Sequence, residues 1–112
     1  MAGKYTLIWR FRVRPDCLAD FLACYGPDGD WVRLFRRSPG FCETLLLKDL
    51  TVPDWYLTID RWRSEAAYAE FRREFALEYA QLDRQCEGLT LAEEFLGAFC
   101  EENRGAELPE TC

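Results

Sequence analysis

Residues 5–14 alternate without interruption. Tyr5, Leu7, Trp9, Phe11 and Val13 fall on one side, and Thr6, Ile8, Arg10, Arg12 and Arg14 on the other. Successive side chains of an extended chain point to opposite faces, so a period of two sustained this long specifies a β-strand with one face buried. After Pro15 the period changes. Leu18, Phe21, Leu22 and Tyr25 recur at the spacing of one helix face, with Asp16 placed to cap the start and Gly26 to stop the end.

The rest of the chain repeats this change of period. Gly26-Pro27-Asp28-Gly29 is turn chemistry. Asp30 then opens a short helix with Trp31, Leu34 and Phe35 inward and Arg33, Arg36 and Arg37 outward, ended by Ser38-Pro39-Gly40. Phe41–Asp49 and Trp55–Trp62 read as two strands around a Thr51-Val52-Pro53-Asp54 turn. Ser64 caps a long helix with Glu65 in its first turn, where the helix dipole favours a negative charge. Its apolar stripe is Tyr68, Phe71, Phe75, Tyr79, Leu82 and Cys86, and Gly88 ends it. Residues 91–100 form a last strand, and a polar tail follows over 101–112. Strand, helix, strand, strand, helix, strand is the split βαβ order of an α+β, ferredoxin-like βαββαβ domain over residues 1–100, with a four-stranded antiparallel sheet.

Such a sheet carries helices on one face only, so the second face must meet water or another subunit. In the Trp55–Trp62 strand the split between Leu57 and Ile59 on one side and Tyr56, Thr58, Asp60 and Trp62 on the other assigns the latter set, with Ile8, Arg10 and Arg12, to that second face. Aromatics mixed with pairable charges suit a sheet-on-sheet homodimer.

Composition excludes several roles. The chain has 112 residues, enough for one core, and is 49% hydrophobic and 15% aromatic, far from the disordered class. A net charge of −6 repels a phosphate backbone, so nucleic acid is not the expected partner. No apolar run is long enough to span a bilayer, and the N-terminal residues carry no signal-peptide pattern. The expectation is a cytoplasmic protein without membrane contact. The six cysteines, at 17, 24, 42, 86, 100 and 112, include no CxxC pair and read as free thiols. There is no histidine, which removes the commonest metal ligand, general base and haem ligand; the expectation is no cofactor and no metal.

Ser38-Pro39-Gly40-Phe41, Leu45-Leu46-Leu47 and the run from Tyr56 to Tyr68, with its W-x-S-x-x-A junction at Trp62, Ser64 and Ala67, resemble the antibiotic biosynthesis monooxygenase domain family. The opening strand Ile8–Val13 and the Tyr25–Trp31 segment resemble one branch of it. The resemblance implies a dimeric α/β barrel. It also implies that some members oxygenate polycyclic phenols with molecular oxygen and no cofactor, the protein supplying a dry pocket, orientation and a base. Other members degrade haem with an Asn, a Trp and a His. Here the Trp corresponds to Trp62, the Asn position falls near Trp9 and no His exists, so haem degradation is not implied. The helix His of quinol-oxygenase-like relatives corresponds to Phe71.

Three side chains are candidate catalytic groups: Asp60, Tyr68 and Tyr79. Asp60 reads either as a base poised by Arg10 or Arg12 or as half of an interface ion pair, the plainer alternative. Each Tyr needs a partner for its hydroxyl when buried and so is a substrate anchor or proton donor, unless backbone or water satisfies it. The aromatic set Trp9, Phe11, Trp31, Trp62, Tyr68, Phe71, Phe75 and Tyr79 is the candidate substrate-binding surface; plain core packing is its alternative. Rigid rings of the long helix against the sheet are hard to pack to full density, which predicts a cleft among them, closed near Trp62 and Trp31. Three functions fit: a cofactor-independent monooxygenase for a small aromatic or polyketide-type molecule, a non-catalytic binding module on the same barrel, or a lyase or isomerase.

Overall fold

The computed structural model describes residues 4–102. Four strands, β1 (Tyr5–Val13), β2 (Phe41–Lys48), β3 (Trp55–Trp62) and β4 (Thr90–Cys100), form one antiparallel sheet in the order β2-β3-β1-β4. Helices α1 (Leu18–Tyr25) and α2 (Asp30–Phe35) connect β1 to β2, and α3 (Glu65–Glu74) and α4 (Ala76–Cys86) connect β3 to β4. The domain is the expected α+β, ferredoxin-like βαββαβ fold. The tail expected over 101–112 lies, from residue 103 on, outside the described residues.

Local chemistry accounts for most boundaries. Gly26 ends α1 by donating its N–H to the Leu22 carbonyl, and Ser64 Oγ accepts from the Ala67 N–H at 3.1 Å as the cap of α3. The segment read as one long helix is two. At Phe75 the backbone leaves helical geometry (φ −110°, ψ 30°), separating α3 from α4. The ring of Phe75 remains buried, so the break redirects the chain along the sheet without losing the apolar stripe.

Register decides the faces. Tyr5, Leu7, Trp9 and Phe11 stand opposite Trp62, Asp60, Thr58 and Tyr56, and directly opposed residues share a face. The sequence assignment of Tyr56, Thr58, Asp60 and Trp62 to the outer face is therefore inverted: all four are buried under the helices, and Trp55, Leu57, Ile59 and Arg61 lie outside. β3 carries apolar residues at both parities, so alternation alone does not say which set is inside. The pairing with β1 settles it, because a strand's two faces cannot be exchanged without shifting register. Leu57, expected beneath the helix stripe, is on the outer face for the same reason, beside Ile8, Leu45 and Ile59.

The core is aromatic. Trp62, Phe21 and Phe71 are wholly buried. The indole of Trp62 meets Phe71 at 4.8 Å between centroids, Tyr68 at 5.2 Å, Phe41 at 5.3 Å and Phe35 at 5.4 Å. In β4, Gly97 adopts φ +143° where an extra residue enters the pairing with β1, a conformation L side chains rarely take. The cysteine reading needs one correction. Cys17, Cys24, Cys86 and Cys100 are free, but Cys42 is disulfide-bonded. Scattered spacing does not reveal which thiols the fold brings together.

The two family-like motifs meet in space. A Cβ added to Gly40 would lie 2.5 Å from the Ala67 Cβ, and the Arg63 N–H donates to the Gly40 carbonyl at 2.8 Å. The Pro-Gly turn and the start of α3 thus pack backbone to methyl. Gly40→Ala is expected to cost about 1–3 kcal/mol by overpacking. Combining it with Ala67→Gly should cost less than the sum of the single changes in urea denaturation; strict additivity would mean the two sites do not touch. Phe71→Ala, which empties a fully enclosed site, should cost about 3–5 kcal/mol.

Candidate functional site

A cavity of about 300 Å³ lies between the sheet and the helices. Its floor is Thr44 of β2, Thr58 and Asp60 of β3, Trp9 and Phe11 of β1 and Glu93 of β4; its roof is Tyr25, Trp31, Phe35, Arg72, Tyr79 and Asp83. The two ends differ. Asp60, Thr58, Phe11, Tyr25, Trp31 and Phe35 are buried, whereas Arg72, Asp83 and Glu93 are exposed and form a charged mouth. The lining rings meet at varied angles, from stacked for Trp9 on Phe11 to edge-to-face for Trp31 on Tyr79. Trp31 stands over Tyr79 at 65° with centroids 4.9 Å apart, and such contacts leave gaps that aliphatic chains would fill.

Asp60 is the chemical centre of the inner end. β3 holds it at a parity that points under the helices, and only 8% of it is exposed. Thr44 Oγ1, on the neighbouring strand, donates to Asp60 Oδ1 at 2.8 Å. Burial pushes the carboxyl up to about 6, and the Thr44 hydrogen bond opposes that rise without cancelling it. The expected pairing with Arg10 or Arg12 does not occur. Arg10 lies on the outer face, 3.5 Å from Glu94 and 3.8 Å above the Trp55 ring. A carboxylate with this affinity for protons, facing an aromatic hollow, can take a proton from an acidic ligand near neutral pH and hold it away from water.

The other candidates divide. Trp9, Phe11, Trp31 and Tyr79 line the cavity with Asp60. Trp62, Phe71 and Phe75 lie in the adjoining core and do not reach it. Tyr68 stands one layer out: it packs on Trp62 and Tyr5, and its hydroxyl accepts from Arg72 Nη1 at 3.2 Å. The Arg72 guanidinium lies 3.9 Å over the Tyr79 ring, so Tyr68 reaches the cavity only through Arg72. Burial pushes the Tyr79 and Tyr25 hydroxyls well above their ordinary range, which keeps both neutral and able to donate. The Trp31 indole N–H is buried and has no well-formed hydrogen bond among the described residues.

Tyr25, Phe35, Thr44, Thr58, Arg72, Asp83 and Glu93 also line the space and were not singled out from sequence. Arg72 and Asp83 carried a usable signal, lying four residues from Tyr68 and Tyr79 respectively on helix faces already in view. The strand residues carried none until register was known. Among the described residues, no group of three or more side chains converges as metal ligands, and no helix is long and apolar enough to cross a membrane.

The domain is thus a single α+β sheet-and-helix layer with an aromatic cavity and a buried carboxyl between the two. This chain belongs to the antibiotic biosynthesis monooxygenase family, whose profile matches residues 4–81. No curated protein matches it. Its fold is similar to that of SnoaB, a cofactor-independent oxygenase from Streptomyces nogalater: 23% identity to a mutant form, covering 97% of this chain and 100% of that one, with a TM-score of 0.73. It is also similar to Rv0793 from Mycobacterium tuberculosis, at 20% identity over 98% of this chain and 100% of that one, TM-score 0.64.

Two outcomes follow from the setting of Asp60. Its folded-state affinity for protons exceeds that of an unfolded Asp, so the native state binds more protons between about pH 4 and pH 6 and stability falls as pH rises through that window. Asp60→Asn should match the native protein in stability near pH 4 and exceed it near pH 7.5, by on the order of 2–3 kcal/mol. Denaturation at both pH values checks this; equal stability at pH 7.5 would mean the carboxylate is well solvated. Thr44→Val should raise the Asp60 midpoint further, read by carboxyl-carbon NMR.

Proposed function

We propose that this chain is a cofactor-independent monooxygenase acting on a small aromatic or polyketide-type phenol, with Asp60 as its base. The observation that carries the reading is a buried carboxyl, without a cationic partner among the described residues, on the wall of an aromatic cavity. Membership of the monooxygenase family and the fold shared with an oxygenase support it. Trp9, Phe11 and Trp31 clasp the flat ring system, and Tyr79 with Tyr25 donates to its oxygens. Trp62, Phe71 and Phe75 back these walls, and Tyr68 acts by holding Arg72 against Tyr79.

The proposed chemistry balances without further reductant. Asp60 removes a proton from the bound phenol or its activated methylene, leaving a delocalised carbanion. That anion gives one electron to O2, the radical pair combines into a ring-bound peroxide, and loss of water leaves a carbonyl where two C–H bonds stood. One oxygen atom enters the product and the other leaves as water. The protein's part is to stabilise the anion, exclude bulk water and keep the proton close.

The protein works as a homodimer in this reading, through the outer sheet face. Ile8, Leu45, Leu47, Leu57, Ile59 and Trp55 make that face apolar, with Arg10–Glu94 and Arg61–Glu43 pairs among them. Sedimentation should give a dimer at micromolar concentration, and Leu57→Glu should yield a folded monomer; a wild-type monomer would remove this part.

Oxygen uptake tests the activity. A hydroxyanthrone should consume one O2 and give its quinone, and Asp60→Asn should slow the reaction by about 10²–10⁴-fold while the protein stays folded. Tight binding with no oxygen uptake would point instead to a non-catalytic binding module on the same scaffold.

A further inference from the structure

We infer that the cavity mouth selects aromatics that arrive uncharged, hydroxylated but without a carboxylate, and that Glu93 and Asp83 enforce this. The inference rests on the proposed function, since it names the charge class of the ligand for the same cavity.

Four ionisable side chains other than tyrosine line the space. Three are acids, Asp60 at the inner end and Asp83 and Glu93 at the mouth, and Arg72 is the one cation among the described residues. Arg72 offsets only one of the three, so the lining keeps an excess of negative charge. Arg72 lies over the Tyr79 ring at 3.9 Å and donates to the Tyr68 hydroxyl at 3.2 Å, and the Asp83 charge adds a smaller stabilisation of its cation. Glu93, across the mouth on β4, is pushed up by partial burial and then by the negative charge of Asp83, with no cation drawing it back. The Asp83 charge thus favours the Arg72 cation and disfavours the Glu93 anion. Neither Asp83 nor Glu93 forms an ion pair among the described residues.

A ligand bearing a carboxylate meets this unneutralised side on entry and Asp60 at the end. A neutral polyphenol carries no charge for Asp83 and Glu93 to repel. The same arrangement suits the chemistry: a ligand that enters neutral has its full complement of protons, and the negative charge is created only inside, after Asp60 has taken one. Like-charge exclusion of this kind works as a specificity device because the unwanted ligand bears the desolvation cost of an unpaired charge.

Isothermal titration calorimetry at pH 7.5 and low salt tests this with two ligands, a dihydroxyanthraquinone and the same ring system carrying one carboxylate. The neutral compound should bind at least about tenfold more tightly, a gap that narrows as salt screens the mouth. Glu93→Gln, and Glu93→Gln with Asp83→Asn, should tighten the carboxylated ligand toward parity and leave the neutral one within about twofold. Both side chains are exposed, so these variants should fold normally. Equal or tighter binding of the carboxylate by the native protein, or a preference unmoved by the substitutions, overturns the inference while leaving the aromatic cavity intact. Binding of neither ligand overturns the proposed function, and the selectivity with it.

Discussion

The burial of the Trp62 indole organises this domain. Its ring fits among Phe35, Phe41, Tyr68 and Phe71, joining α2, β2 and α3 to the end of β3. A side chain of this size buried completely fixes the parity of its strand, because sliding β3 by one residue would expose it. Once Trp62 points inward, so do Asp60 and Thr58. The position of the candidate base is thus a by-product of packing several residues away. Among the described residues the indole N–H has no partner, a cost set against the apolar contact of the ring.

The setting of Asp60 lowers stability at neutral pH. A carboxyl under the helices with a single hydroxyl partner is less favourable ionised than in water, and apolar residues of similar size would pack there without penalty. The residues around it share the arrangement: Tyr25 and Tyr79 are kept neutral, and Thr44 orients one carboxyl oxygen while leaving the other uncommitted. Sites that break the rule of apolar cores in this coordinated way are where function is expected.

The two faces of the sheet divide the work. The inner face carries the cavity and the aromatic core; the outer face carries aliphatic residues laced with cross-strand ion pairs. The Gly40–Ala67 contact explains how two separate short motifs come to be read together. Each is ordinary alone, a turn and a helix start, and only their approach to within a methyl contact demands the small residues found at both.

The sequence by itself determined the element order, the strand character of residues 5–14 and 55–62, the cap at Ser64, the aromatic richness of the interior and the acids and phenols available for chemistry. These are legible because periodicity and turn chemistry are local properties. It also pointed to Asp60, Tyr79, Trp9, Phe11 and Trp31. Tertiary structure decided what local pattern cannot express. It chose the inner parity of β3, where Leu57 and Ile59 compete with Tyr56 and Trp62; it broke the long helix at Phe75; and it placed Trp62, Phe71 and Phe75 in the core beside the cavity rather than on its wall. It gave Asp60 a threonine partner instead of an arginine, and it brought Glu93 and Asp83, from elements with no pattern in common, to one mouth. The physical reason is the same in each case: which face of an element is buried, and what stands opposite it, is fixed by contacts between residues far apart in the chain, and no window along the sequence contains both members of such a pair.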